Sequence, residues 1–518
     1  MKNDKIYSKS FRFLIIFFLV VGIVFRFTNL DRKIYWDDEV YTSLRVSGYT
    51  VEELVEQVYN GRVISIEKLQ NYQGANSEKS VIDTVKSLAI EEPQNPPIYY
   101  VITRLWVQYF GNSVVVTRSL SALLSLIALF YLYWFCRELF QSSQTGEIAT
   151  ALMAVSPFHI LYAQAARNYS LWTVTISLSS WALLRAMRLQ TKVGWGIYAL
   201  TVAVGLYTFP FSLFVSIGHG IYIAISERFR LSKVFISYLL ASLVGFIAFI
   251  PWIFCIIFNS HKMGKWRKYG GGIGDLLQAW LIQIRRIFID DSFTQNLLFF
   301  WLIGIIILIL VGYSIYFLCH HTQQQVWLFV VTLIVTTWVS LALPDIILGG
   351  KRSAVTRYLI PCYIGIELAV AYLFSTKIAF NTIKGFQKRL WQLIAIAIFV
   401  GGVLSYANSS SAQVWWNNGP SKIGQIPVII PIVNQSAQPL VISDNGWANV
   451  ISLSYSLKPN VKFQLVRQQQ LPEIPEDFSD YFLYKPSKDL REGLEKNGYQ
   501  IQPAYQSGNV WLWRLSNK

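Results

Sequence analysis

Apolar residues run along most of this chain in blocks of about 20, each closed by a short polar or basic break. Blocks of that length are what a helix needs to cross about 30 Å of hydrocarbon. They predict about eleven spans, over 11–28, 114–137, 147–163, 169–189, 193–208, 210–226, 232–257, 297–318, 325–343, 357–376 and 388–406. The first run has a basic flank but no small-residue cleavage site, so it reads as a retained helix and not as a removed signal. One further apolar stretch, "PPIYYVITRLWVQYFG" (Pro96–Gly111), is short, opens on two prolines and carries Arg104 in its middle. A charge at that depth is costly, which predicts a helix lying flat in the interface. With it flat, the short loops holding Arg185/Arg188/Lys192, Arg228/Arg230/Lys233 and Lys377/Lys384/Lys388/Arg389 all join Lys2/Lys5/Lys9/Arg12 on the cytoplasmic side.

Two long polar stretches then fall outside the cytoplasmic membrane. In the first outer loop (29–113), "VEELVEQVY" and "VIDTVKSLAI" each carry one apolar face at helical spacing, as expected of helices on a membrane surface. In the tail, strand-like "PLVISD", "VKFQLV", "DYFLY" and "VWLWRLS" alternate with helix-like "WANVISLSYSL" and "SKDLREGLEKNGY". That alternation predicts a small α/β domain. The expected fold is an all-α polytopic membrane protein over 1–406, including the first outer loop, followed by an extracytoplasmic α/β domain over 407–518.

Composition sharpens this picture. Of 518 residues 53% are hydrophobic and 14% charged, against about 25% charged in a soluble domain. The excess of 45 Lys+Arg over 29 Asp+Glu leaves +16, which points to anionic partners: membrane lipid headgroups or a phosphorylated substrate. No basic soluble module is present, so no nucleic-acid partner is expected. The four cysteines stand singly in apolar segments and form no legible disulfide or metal framework.

The candidate chemistry lies on the outer side. "IYWDDEVYTS" places Asp37, Asp38 and Glu39 among Tyr35, Trp36 and Tyr41, residues that prefer the interface. Such acids either start and solvate a helix or act on a substrate. "YAQAARNYS" and "LPDIILGGKRSAVTRYL" add Arg167, Lys351, Arg352 and Arg357, outward-facing cations that serve either as interfacial anchors or as phosphate ligands. Lys262, Lys265, Arg267 and Lys268 read more simply as a headgroup patch, although they run against the positive-inside trend. His261 alone is a weak metal ligand, and Gly349-Gly350-Lys351 is too short for a nucleotide loop.

Taken in order, Trp36–Asp38–Glu39, "NPPIYY" (95–100), "SPFHILYAQAARNYS" (156–170) and "RYLIP" (357–361) resemble the polyprenyl-phosphate-sugar-dependent glycosyltransferases of the GT-C fold. The nearest likeness is to protein O-mannosyltransferases (glycosyltransferase family 39) and lipid A aminoarabinose transferases, from the first span to about residue 376. The resemblance implies a polyprenyl-phosphate sugar donor, a protein, lipid or glycan acceptor, and inversion at the anomeric carbon. Asp38 matches the general base, with Asp37 as fallback and Glu39 beside them. Arg167 with Tyr169, and Arg357 with Tyr358, match substrate-binding positions, with Lys351 and Arg352 adjoining. A carboxylate can take the acceptor's proton, and guanidinium or ammonium groups can stabilise the charge growing on a leaving phosphate without an obligatory metal.

Two departures stand out. Asn95 occupies the place of a histidine before the prolines, and Gln164-Ala165-Ala166-Arg167 lacks the family's acid, for which Glu92 is a candidate replacement. No obligatory cofactor is implied, a divalent metal is left open, and no metal ligand is assigned. The implied location is the inner membrane, with the N-terminus cytoplasmic. The alternative class is a lipid or glycan transporter or flippase, which calls for paired repeats and broken helices at matching positions; no repeat is evident. A non-catalytic assembly protein would not need the "DDE" acids.

Overall fold

The apolar blocks are helices, and the tail carries a sheet. The computed structural model describes residues 9–262, 272–290, 297–379, 385–416 and 423–516; Lys265, Arg267 and Lys268 of the basic cluster lie outside them. Packing divides the chain into two compact units. One comprises Met1–Leu30, Glu92–Tyr99 and Arg118–Ser410, the other Asp31–Glu91, Tyr100–Thr117 and Ser411–Lys518.

In the first unit a helix stands at each expected span. Among the described residues, six helices are long and apolar enough to cross a membrane by length and composition: Val114–Phe140, Lys233–Phe258, Leu298–His321, Gln324–Leu348, Thr356–Ile378 and Phe386–Ser410. The protein is an integral membrane protein. Other expected spans are shorter or more polar. Lys192–Thr208 and Ser212–Ser226 have 17 and 15 residues, and Tyr169–Leu189 is interrupted by Ser, Thr and Arg. The block 147–163 is broken at Ser156, which is extended ahead of Pro157 and whose hydroxyl accepts the His159 N–H to start a new helix, Pro157–Ala163. The sequence carries no comparable signal for the amphipathic helix Ile273–Phe288, which buries Leu276, Gln283, Arg285, Ile287 and Phe288.

Close packing in this unit uses small residues, as in other membrane helices. A Cβ at Gly22 would run into the Ala154 carbonyl. That approach lets the buried Arg26 guanidinium donate to the carbonyls of Gly22 (2.7 Å), Ala154 (2.5 Å) and Met153 (3.0 Å), and to Ser125 Oγ (3.0 Å).

The second unit is built on a six-stranded sheet, ordered β1-β3-β2-β4-β6-β5. The strands are β1 (Val63–Ser65), β2 (Pro439–Ser443), β3 (Lys462–Leu465), β4 (Asp480–Tyr484), β5 (Gln500–Pro503) and β6 (Leu512–Ser516). β2 runs parallel to β3 and β4, while β1, β5 and β6 pair antiparallel. β2 is buried along its whole length, as a central parallel strand should be. Leu440, Ile442, Val466, Leu483, Leu490, Leu494 and Leu515 form its core.

The division read from sequence at 406/407 leaves the first loop with the membrane helices, whereas packing groups residues 31–91 with the tail. The link is β1, whose Val63 pairs with Gln464 of β3. Three residues are too few to read as a strand, and their partner lies far along the chain. The two amphipathic segments of the loop are helices; Val51–Val58 buries Leu54 and Val58, whereas Val81–Glu91 buries Thr84, Ser87 and Leu88 and leaves Ile82 and Ile90 exposed.

Arg104 is held by hydrogen bonds inside this unit. Its helix, Ile98–Phe110, has 13 residues, about 20 Å and too short for the hydrocarbon. The buried guanidinium donates to the carbonyls of Val46 (2.7 Å), Asn76 (3.4 Å) and Lys79, and to Thr84 Oγ1 (3.4 Å). It ties the end of the Asp37–Ser47 helix to the Val81–Glu91 helix. Arg104→Met keeps the length but leaves those carbonyls without their donor, so it should destabilise this unit by about 3 kcal/mol. Thermal unfolding in nanodiscs measures it; an unchanged midpoint would show the clamp to be dispensable.

Candidate active site

The acids of "IYWDDEVYTS" open the helix Asp37–Ser47. Trp36 is extended, its carbonyl accepts the Glu39 N–H (2.9 Å), and Glu39 Oε2 accepts the Trp36 N–H (3.4 Å). Three carboxylates in a first turn suit the positive end of the helix dipole. The helix stops at Gly48, whose φ of +90° suits glycine. The surrounding aromatics hold this start in place. Tyr35 packs on Tyr455, and its carbonyl accepts from the Ser452 hydroxyl (2.6 Å), while Tyr41 meets Trp447 edge-on (4.7 Å). Glu39 is buried and spends an oxygen on the helix start; Asp37 and Asp38 are half-buried. The Asp37 charge is felt at the end of β4. Burial raises the proton affinity of the Tyr484 hydroxyl, and Asp37 adds to that rise. Burial pushes the Lys485 ammonium down to about 8, with Asp37 opposing the fall.

In the membrane unit the step 164–169 is fixed from both sides. Gln164 Nε2 donates to the carbonyls of Phe25 (2.7 Å) and Thr28 (2.9 Å) and to the Tyr406 hydroxyl (2.7 Å), and Asn168 Nδ2 donates to the Thr208 carbonyl (2.9 Å). Arg167, held between them, lies with its guanidinium 5.8 Å from the centre of the Tyr169 ring. The Arg357 guanidinium lies 5.8 Å from the same ring and 5.6 Å from that of Tyr358. Two residues far apart in sequence thus bring two positive groups to one aromatic ring, an arrangement that favours an anion near both. The other basic candidates differ. Arg352 Nη1 reaches Asp345 Oδ1 (3.5 Å), within a turn where Asp345 also accepts from Ser353 N (2.6 Å) and Oγ (2.8 Å); Lys351 is exposed.

Glu92 and Asn95 form a local pair: Asn95 Nδ2 donates to Glu92 Oε2 (2.7 Å), its N–H to the Glu92 carbonyl (2.8 Å), and both side chains are buried. The Asn95 side chain therefore donates to the nearest acid. Among the described residues, no three His, Cys, Asp or Glu side chains gather closely enough to hold a metal ion. One polar pair escapes the sequence reading: His159 Nε2 and Glu367 Oε2 lie 3.2 Å apart, both buried, in the membrane unit. Its only signal in the sequence is an acid within an apolar span.

Residues 94–254 match the family model described as dolichyl-phosphate-mannose-protein mannosyltransferase; that stretch includes "NPPIYY" and the Arg167 step. Among solved structures, ArnT from Cupriavidus metallidurans bound to undecaprenyl phosphate is similar over 97% of both chains, with a TM-score of 0.54 and 10% identity. Its apo state is similar over 98% of both chains, with a TM-score of 0.53 and 11% identity. The arabinofuranosyltransferase AftD from Mycobacteria matches over 98% of this chain and 41% of its own, with a TM-score of 0.51 and 10% identity. No curated protein matches the chain. At such identities the likeness is one of fold: the chain has the GT-C fold, all-α and polytopic with a small α/β part.

Proposed function

We propose that the protein transfers a sugar from a polyprenyl-phosphate-linked donor to a hydroxyl of a protein, lipid or glycan acceptor on the outer face of the cytoplasmic membrane. The observation that carries this reading is the pair Arg167 and Arg357 on the Tyr169 ring, together with a GT-C fold also found in ArnT bound to undecaprenyl phosphate. In the reaction the acceptor oxygen attacks the anomeric carbon. The bond from that carbon to the phosphate oxygen breaks, and its electron pair leaves with the polyprenyl phosphate. Asp38 takes the acceptor's proton. Arg167 and Arg357 meet the charge that grows on the phosphate, Tyr169 and Tyr358 brace them, and Lys351 and Arg352 adjoin on the same stretch. Asp37 and Glu39 set the field and the start of the helix that presents Asp38. Glu92 and Asn95 hold the turn ahead of "PPIYY".

The test is transfer by the purified protein in nanodiscs from a panel of radiolabelled polyprenyl-phosphate sugars. Label should move to an acceptor from at least one donor. No transfer from any donor, together with no binding of undecaprenyl phosphate, would sink the reading.

The orientation has its own check, in a background with the four native cysteines replaced. Cysteines placed at Ser77 and Asn434 should react with an impermeant reagent added outside intact cells, and one at Gln190 should not. Labelling of the first two only after permeabilisation would reverse the orientation.

A further inference from the structure

The sheet-bearing unit contains an open cavity of about 470 Å3, lined by Asn445, Lys485, Arg491, Asn509, Trp511 and Trp513 among others. That volume is within the range of small-molecule sites, about 300–1,000 Å3. Its walls come from the ends of β2 and β4, the helix Lys488–Lys496, and the strand and turn leading through β6.

The two cations in this cavity are braced. Lys485 follows β4 with φ of +43°, a left-handed conformation that a lysine adopts only when its surroundings impose it. Its N–H donates to the Trp511 carbonyl (2.6 Å), and its Nζ lies 3.6 Å from the centre of the Trp511 ring and 3.3 Å from Asn449 Oδ1. Arg491 lies 4.8 Å from the Trp513 ring, and its buried Nε has no hydrogen-bond partner among the described residues. A buried donor in that state is costly until an acceptor arrives. The amides are ordered too: Asn445 Nδ2 donates to the Lys485 carbonyl (3.1 Å), and Asn449 Nδ2 donates to Asn445 Oδ1 (2.8 Å). Asp444, next in the chain, accepts the Ser487 N–H (2.9 Å) and is the nearest acid in sequence to these amides. Asn445 of the cavity lies just ahead of the helix Trp447–Ser454, whose Trp447 ring meets Tyr41 of the acidic helix (4.7 Å), and Lys485 also interacts electrostatically with Asp37.

Two fixed cations call for an anionic group. Indole rings flanked by side-chain amides suit a ring that carries hydroxyls. We propose that this cavity is an acceptor subsite and that the acceptor is an anionic saccharide, its acid group held by Lys485 and Arg491. The inference rests on the transferase reading above and names the acceptor for it.

Binding is measured without donor, so it holds or fails independently of transfer. The full-length protein in nanodiscs is titrated with hyaluronan tetrasaccharide, with uncharged chitotetraose of the same length, and with inorganic phosphate. Binding is followed by calorimetry and by the fluorescence of the cavity tryptophans. The anionic tetrasaccharide should bind about 10-fold or more tightly than either control, as expected for charge-assisted hydrogen bonds. Arg491→Gln, a half-exposed position on a surface helix, should weaken it about 10-fold, and Lys485→Gln by a similar factor, with unfolding midpoints unchanged. Equal binding of the two saccharides, phosphate binding as tightly as the tetrasaccharide, or no loss in Arg491→Gln would each overturn the assignment. Binding that holds while transfer from every donor fails would overturn the reaction and keep the saccharide site.

Discussion

Asp38→Asn is expected to cut transfer by about 100-fold or more, the scale of a lost general base, while leaving folding and donor binding near wild type. Asparagine keeps the size of aspartate and still suits a helix start, so the change is confined to the proton acceptor. Asp38 is half-buried, so its carboxylate is partly shielded from water. Its neighbours provide the internal controls. Glu39→Gln can still accept the Trp36 N–H and should cost little, because the Glu39 oxygen is already engaged in the helix start. Asp37→Asn should act on Lys485 instead of on the chemical step. Asp37 raises the Lys485 pKa against burial, so its loss should move the ammonium below about 8 and leave less of it charged at pH 8. The assay is turnover of a purified polyprenyl-phosphate sugar at matched protein levels, with all three variants side by side. Near wild-type turnover in Asp38→Asn beside a collapse in Asp37→Asn would move the base by one residue. Full activity in both, and in the double variant, would end the catalytic reading of this helix.

The helical plan of the membrane unit was legible because it is written in local periodicity. The blocks at 169–189 and 114–137 became helices over Tyr169–Leu189 and Val114–Phe140. Ser156 was harder to place, because its break rests on a proline one residue later inside an otherwise apolar block. In the tail, "DYFLY" is β4 itself, but β5 (Gln500–Pro503) is largely exposed and has no apolar alternation to mark it. β1 was beyond reach for a different reason: a strand of three residues is specified by its partner and not by its own pattern. The same logic applies to the candidate site. The types of its residues could be read one by one, since acids among interfacial aromatics and cations at span ends are local signals. That Arg167 and Arg357 share one ring is a tertiary fact, with no trace in the spacing between them. The bracing of Lys485 and Arg491 on Trp511 and Trp513 is another.

That shared ring sets the other large effect. Removing both guanidinium groups, in Arg167→Ala/Arg357→Ala, should reduce transfer by about 100-fold or more, comparable to losing a principal stabiliser of developing charge. Each single change should cost less than half of that on a logarithmic scale, because one cation can shift toward the phosphate when the other is gone, and residues that act on one partner are not additive. Arg357→Lys should retain part of the activity: the charge remains, but the planar fork that can hold two phosphate oxygens is lost. Tyr169→Leu offers a further separation. It keeps both cations and removes the ring beside them, so it should weaken donor use by only a few-fold, the scale of two cation–π contacts at 5.8 Å, near the limit of their range. The measurements are turnover against donor concentration and direct binding of undecaprenyl phosphate. A loss in the maximal rate with donor binding kept would place the pair on the departing charge, and a loss in binding alone would place it on the donor's ground state. If the double variant transfers and binds like wild type, Arg167 and Arg357 are interfacial anchors, and the phosphate is held elsewhere on the protein.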